Sequence, residues 1–337
     1  MKITAKELAK ILGLSEAAVS TALNNKPGVS TATRNKVIET AERLGYDFSR
    51  IRENSILTSS KGDISFVIYK KHGAIVTDTP FFSQLTEGIE RTCNNLRYQL
   101  HMSYLYDNGE IGKQIETMPV YDGIILLGTE MRKEDFVMLE KVKAPIVVLD
   151  TYYHAIPYDC VIINNFQGAF NATEHLIKRI MAQPGYLRSS YNIGNFDERA
   201  DGFFSAVRTA GMSVSQSPVI SLTPSLDGAY RDMLEALEHG AVPSSGYFAD
   251  NDNIAAGAMK ALIEKGYRVP EDVSIIGFDN MPFCTYVEPP LSTVDVPKSY
   301  LGRAAVERLV HVIINKDAHP LKIEVSTKLV KRKSVKK

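Results

Sequence analysis

The chain has 337 residues, with 39 basic and 39 acidic side chains and 44% apolar residues. At roughly 100–200 residues per domain, this length points to two or three domains with real cores. The composition excludes a disordered or collagen-like chain, and no apolar run approaches the ~18 residues of a membrane-spanning helix.

The N-terminus, Met1-Lys2-Ile3-Thr4-Ala5-Lys6-Glu7, lacks the hydrophobic stretch of a signal peptide, so a cytoplasmic protein is expected. Cys93, Cys160 and Cys284 are far apart and form no CxxC, which argues against a disulfide framework or a cysteine zinc site. The zero net charge is unevenly spread. Residues 1–60 carry nine basic and six acidic groups, and 61–327 carry 24 and 33. Residues 328–337 carry six basic groups and no acid. A polyanion partner is therefore confined to the ends of the chain.

In chain order, Thr4 and Glu7 have capping-box spacing, and Leu8, Ala9, Ile11 and Leu12 give a first helix its apolar face. Gly13 suits a turn. Ser15 can cap a second helix from Glu16 to about Leu23, with Ala18, Val19, Ala22 and Leu23 inward. Asn24 to Gly28 reads as a loop. Ser30 can cap a third helix carrying Val37, Ile38, Ala41 and Leu44, and Gly45 ends it. Three short helices with a glycine turn between the first two form a helix-turn-helix pattern. Residues 47–62 are polar with few apolar anchors and read as a linker.

From residue 63, short apolar strands alternate with amphipathic helices. Strands are expected at 64–69, 100–106, 123–127, 146–150, 160–163, 187–193, 219–222, 246–249, 273–278 and 292–296. Helices are expected at 81–97, 166–181, 200–210, 226–238, 252–265 and 298–314. This alternation predicts parallel sheets with helices on both faces. About ten strands exceed one comfortable open sheet, so the expected fold class is α/β: an N-terminal three-helix domain followed by a two-lobed, doubly wound core. Ligands in such sheets bind at the carboxyl ends of strands.

The chain offers no catalytic motif. The seven histidines make no HExxH pair, and there is no GxSxG elbow, Walker A loop or GxGxxG after the first strand. Asp250-Asn251-Asp252-Asn253 lacks the glycine and glutamate of an EF-hand loop, and a polar strand-end cluster that hydrogen-bonds a ligand is the better reading. No catalytic residue, metal or cofactor is expected.

The segment Ala5-Lys6-Glu7-Leu8-Ala9 through Asn24-Asn25-Lys26-Pro27-Gly28-Val29-Ser30, continued by Thr33-Arg34 and Leu44-Gly45-Tyr46, resembles the N-terminal signature of LacI/GalR-family transcriptional regulators. Phe81-Phe82, Arg199-Ala200-Asp201-Gly202-Phe203, Val273 through Asn280 and Pro289-Pro290-Leu291-Ser292-Thr293-Val294 resemble that family's effector domain, so the likeness covers nearly the whole chain.

The resemblance implies a helix-turn-helix DNA-binding domain over 1–46, a hinge over 47–62 and a periplasmic-binding-protein-like effector and dimerisation domain over 63–337. Its first lobe would comprise about 63–158 and 291–322, and its second about 159–290 and 323–337. A recognition helix from Glu16 would lie in the major groove. Glu16, Ala17 and Thr21 then stand at base-reading positions, Asn24 at the helix end, and Thr4, Ser15, Ser30 and Arg34 at phosphates. Many relatives carry arginine where this chain has Thr21. The hinge departs from the family: Phe48 replaces a proline, and Ser55 occupies the place of a minor-groove leucine wedge, with Ile56 and Leu57 just after it.

Residue by residue, the resemblance places Phe81, Phe82, Asp150, Arg199, Asn251 and Asp279 at the effector, with Arg199 able to fork hydroxyls or a carboxylate. Aromatic walls with polar groups between them suit a sugar ring. Thr223 stands where relatives stack an aromatic, and because relatives include purine binders a nucleobase is the alternative. The expected protein is a homodimeric repressor of operator DNA gated by a small sugar-like effector, with no membrane role. A solute-binding transport protein would need export, and an α/β enzyme would need a nucleophile or cofactor loop.

Overall fold

The computed structural model describes residues 3–24, 28–48, 60–71, 76, 80–316 and 318–337. The chain divides into two compact units, Met1–Gly62 with Asn94–Gln99, and Asp63–Cys93 with Leu100–Lys337.

The first unit contains α1 (Ala5–Leu12), α2 (Glu16–Leu23) and α3 (Thr31–Arg43). Each helix starts on a side-chain cap: Thr4 accepts from the Glu7 N–H, Ser15 from Ala18 and Ser30 from Thr33, and Glu7 returns to the Thr4 N–H at 2.8 Å. Gly13 ends α1 with φ of 64°, a left-handed turn that glycine adopts without a Cβ penalty. Leu8, Ala9, Val19, Ala22, Leu23, Val37 and Ala41 form the core.

Four expectations about this unit are corrected. Ile11 is 57% exposed, because α1 turns the arc of Leu8, Ala9 and Leu12 inward and Ile11 lies roughly a quarter turn away from it. Ala18 is only half-buried, and Leu44, at the end of α3, is exposed. The folded domain also runs past the expected end at 46. Tyr46 and Phe48 pack against its core with their rings edge-to-face at 5.2 Å. Phe48, which breaks the family's proline pattern, is thus an anchor where a linker was expected.

The second unit holds two six-stranded sheets. The first contains β1 (Gly62–Lys70), β2 (Tyr98–Tyr106), β3 (Gly123–Leu127), β4 (Ile146–Leu149), β5 (Asp159–Ile163) and β11 (Lys322–Val325), in the order β11-β5-β4-β3-β1-β2. The second contains β6 (Gly185–Ser189), β7 (Val219–Leu222), β8 (Gly246–Ala249), β9 (Ser274–Asp279), β10 (Ser292–Asp295) and β12 (Lys328–Val330), in the order β12-β10-β9-β8-β6-β7. β12 runs antiparallel to β10 and closes an edge. The central strands β3, β4, β5 and β8 are buried along their whole length, as strands covered on both faces must be.

The helices are α4 (Pro80–Leu96), α5 (Ile111–Glu116), α6 (Asn165–Ile180), α7 (Gly194–Thr209), α8 (Leu226–Glu238), α9 (Asp252–Glu264) and α10 (Lys298–Ile314). β6 ends at Ser189 rather than 193 and α7 begins at 194 rather than 200, because the Ser190 N–H bond to Leu222 O is the last toward β7 and the chain then turns into the helix. The alternating pattern misses β11, β12 and α5. The two strands are short, half-exposed edges, and α5 spans six residues.

The lobe boundaries also shift. β5 lies in the first sheet, so the first lobe runs to 163 instead of 158. β10 lies in the second, so that lobe runs to 295; α10 then packs on the first sheet and β11 joins it, so the first lobe's return segment ends at 325 instead of 322. The chain changes lobe where a strand ends, since a strand cannot be divided between two ladders.

Candidate effector cleft and DNA-binding face

A cavity of about 210 Å³ lies in the second unit. Four strands deliver side chains to it just beyond their carboxyl ends: Thr129 after β3, Asp150 after β4, Asn251 after β8, and Asp279 closing β9. Phe81 and Phe82 from the first turn of α4, edge-to-face at 5.1 Å, form one wall. Asn195, Phe196 and Arg199 from α7 form another. All six sequence-proposed effector residues, Phe81, Phe82, Asp150, Arg199, Asn251 and Asp279, therefore meet at one cavity.

Sequence reasoning missed Thr129, Asn195 and Phe196. The strand-end rule pointed to Thr129, whereas starting α7 at 200 hid the other two.

The two carboxylate residues Asp150 and Asp279 adopt positive φ, 67° and 107°. Such backbone is held only where surrounding structure over-determines it, and it concentrates at functional sites. Their electrostatic settings differ. Asp279 Oδ1 is 3.3 Å from Arg199 Nη2, and its backbone carbonyl accepts from the buried Lys298 ammonium. Arg199 also donates from Nε to Asn165 Oδ1 at 2.9 Å and from Nη1 to the Asp250 carbonyl, and its guanidinium lies 3.8 Å from the Phe278 ring centre. Burial nevertheless pushes the Asp279 carboxyl up.

Asp150 is 3% exposed. Thr129 donates to its Oδ2 at 2.6 Å, while Oδ1 is buried with no hydrogen-bond partner among the described residues. Desolvation raises its pKa to about 6, opposed first by the Thr129 hydroxyl and then by Arg199 acting through space. Asn195 also favours the charged form; its Oδ1 accepts from Asn165 Nδ2 at 3.2 Å, which leaves its own amide N–H groups for Asp150.

These contacts bear on two expectations. Arg199 lines the cavity with one bond from each of its three nitrogens already made within the protein, which leaves one N–H on Nη1 and one on Nη2. In the segment Asp250-Asn251-Asp252-Asn253 the last three residues line the cavity, while both carboxylates are engaged within the protein. Asp250 takes the Tyr186 hydroxyl and the Ser189 N–H, and Asp252 takes the Met281 N–H and the Thr293 hydroxyl. Asn251 caps α9 by accepting from Ile254 at 2.9 Å. Burial raises Asp250 and Asp252 to about 7 each. Thr223 stays off the cavity wall, where the neighbouring Pro224 and Ser225 stand instead. Among the described residues no group of three potential metal ligands occurs, and no helix is long and apolar enough to cross a membrane.

In the first unit, Glu16 and Ala17 are exposed on the first turn of α2, and Thr21 is half-buried one turn further. Asn24 folds its amide back onto the Ser20 carbonyl at 2.8 Å. Thr4, Ser15 and Ser30 use their hydroxyls as helix caps, and half-buried Arg34 lies in the first turn of α3. The hinge residues Ser55, Ile56 and Leu57 lie outside the described residues.

Comparison with known proteins agrees with this architecture. Residues 4–48 match the model of bacterial regulatory proteins of the lacI family, and residues 173–335 match a periplasmic binding protein-like domain. The HTH-type transcriptional repressor PurR of Escherichia coli O139:H28 is 31% identical over 98% of this chain and 96% of its own. A LacI family transcriptional regulator from Enterococcus faecium, solved with bound ribose, is 26% identical with a TM-score of 0.67, over 80% of this chain and 98% of that one. The transcriptional regulator CelR in complex with cellobiose has the same fold, with a TM-score of 0.71 and 24% identity over 99% of this chain and 100% of that one. A helix-turn-helix followed by two parallel sheets around a polar cleft, together with this full-length similarity, makes the chain a member of the lacI family of bacterial regulatory proteins, a DNA-binding regulator of transcription.

Proposed function

We propose that the protein is a cytoplasmic, non-enzymatic, homodimeric repressor whose hold on operator DNA is controlled by a small sugar-like effector in the cleft. The observation that carries this reading is the convergence of two phenylalanines, two carboxylates, an asparagine and an arginine on one cavity at the strand ends. Apolar ring faces and polar edges suit a sugar, whose own faces and edges are divided in the same way. The cavity of about 210 Å³ is smaller than the roughly 300 Å³ at which drug-sized sites begin, which favours a single ring. The ribose in the E. faecium regulator is of that size class.

On the DNA side, Glu16, Ala17 and Thr21 are the proposed base-reading residues, with Asn24 at the end of the recognition helix and Thr4, Ser15, Ser30 and Arg34 near phosphates. A three-helix module buries little surface, so useful affinity calls for two half-sites and two protomers. The proposed hinge contacts are Ser55, Ile56 and Leu57.

The test is a thermal-shift screen of monosaccharides, followed by operator binding with and without each hit. A specific ligand raises stability by mass action. The reading requires at least one sugar that stabilises the protein and changes its operator affinity. A nucleobase is the second reading, favoured by the flat faces of Phe81 and Phe82. Stabilisation by nucleobases and by no sugar would establish it instead.

A further inference from the structure

Three carboxylates line the cleft, and they are unequally neutralised: Asp252 takes two neutral donors, the Met281 N–H and the Thr293 hydroxyl. Asp279 has Arg199 at 3.3 Å, and the Lys298 ammonium lies on its backbone carbonyl. Asp150 has no ion-pair partner among the described residues. It receives a hydrogen bond from the neutral Thr129 hydroxyl, the neutral Asn195 side chain also favours its charged form, and its buried Oδ1 has no hydrogen-bond partner among the described residues; the residue itself lines the cavity. Of the nearby cations, Arg199 acts on Asp150 only through space while bonding Asn165, the Asp250 carbonyl and Asp279, and Lys298 is held by the carbonyls of Asp279 and Val296.

A buried carboxylate without a paired cation is costly, and the missing partner is a hydrogen-bond donor that carries positive charge. A ligand ammonium supplies both. A ligand hydroxyl supplies only the bond, and a ligand phosphate or carboxylate would add further negative charge beside Asp150, Asp252 and Asp279. We therefore propose that the effector is a single-ring polyol bearing a protonated amine, of the amino-sugar class, with the ammonium at the Asp150 carboxyl group, and that the cleft rejects anionic sugars. This rests on the sugar reading above and narrows it.

The test is calorimetric titration of the full-length protein with four forms of each of glucose, galactose and mannose: the neutral sugar, the 2-amino sugar, its N-acetyl derivative and the 6-phosphate. At least one amino sugar should bind about tenfold or more tighter than its neutral parent, the difference between a charge-assisted and a neutral hydrogen bond. Acetylation, which removes the charge, should cancel that gain, and the 6-phosphate should bind more than about a hundredfold more weakly. Asp150→Asn keeps the shape of the side chain and removes its charge, so the ratio of amino-sugar to neutral-sugar affinity should fall toward one. Operator binding by the same variant verifies that it is folded. Should that variant lose its fold, the wild-type ratios alone decide.

Neutral sugars that bind as tightly as their amines, or an amine preference that survives Asp150→Asn, would overturn the inference while leaving the sugar reading intact. Tight binding of a 6-phosphate would do the same. If no form of any sugar binds, the sugar reading falls and the inference with it.

Discussion

Arg199 and Asp279, 80 residues apart in sequence, form an ion pair at 3.3 Å inside the cleft, with Arg199 almost wholly buried and its plane on Phe278. α7 supplies one partner and the end of β9 the other, so the pair exists only when the second lobe is folded. Replacing either residue with alanine should weaken effector binding by about 1–3 kcal/mol, through lost charge-assisted hydrogen bonds and loosened cavity walls. Because each change leaves a buried charge with fewer partners, the melting temperature should fall as well. Titration calorimetry and thermal unfolding of the two variants check both statements. Unaltered effector affinity in both would remove this pair from the site.

Coupling between effector and operator must be reciprocal. Operator DNA should shift effector affinity by the same factor by which effector shifts operator affinity, expected at ~5–150-fold. The measurement is effector titration into protein with and without operator. Equal affinities would mean that the cleft does not control DNA binding.

Ala17 is exposed on the first turn of α2, whereas Val19 and Leu23 lie in the core. Ala17→Arg should therefore change the operator selected from a random DNA library and leave the melting temperature nearly unaltered. Selection of the wild-type operator would show that Ala17 does not face the bases. If six to ten phosphates are contacted, wild-type affinity should fall with log salt at a slope of roughly −5 to −9.

A second buried pair holds the first lobe together. Arg308 Nε donates to Asp159 Oδ1 at 2.6 Å and its Nη2 to the His319 carbonyl, joining α10 to the start of β5. Arg308→Leu strands Asp159 in the interior and should cost about 3–5 kcal/mol. Arg308→Leu combined with Asp159→Asn should lose less than the sum of the two single changes, since the second removes the orphaned charge. Chemical denaturation of the four proteins measures this, and strict additivity would mean that the pair is not coupled.

Stability of the effector-free protein should fall as pH rises from about 4 to about 7. Asp150 is raised to about 6, and Asp250 and Asp252 to about 7, each chiefly by burial. Carboxyls with a raised folded pKa bind protons in the native state that the unfolded chain has released. Their contribution is fully present below the unfolded value near 4 and is lost as pH passes the folded value. Asp150→Asn should flatten the part of the profile below about pH 6. Thermal unfolding across this range checks it, and a melting temperature that rises steadily from pH 5 to pH 8 would contradict it.

The sequence by itself determined the elements and their class. Capping residues at Thr4, Ser15 and Ser30, helical apolar spacing and short apolar strands are local signals, and each produced the element it announces. Motif likeness also placed the six cleft residues at one cavity. What only the tertiary structure decided depends on non-local packing. Edge strands β11 and β12 have no buried face of their own to mark them, and the lobe crossings follow from which ladder β5 and β10 join. Whether Arg199 is open to a ligand, and whether Asp150 has a partner, depends on atoms from segments distant in sequence. Burial and hydrogen-bond satisfaction belong to the assembled fold, and no local pattern carries them.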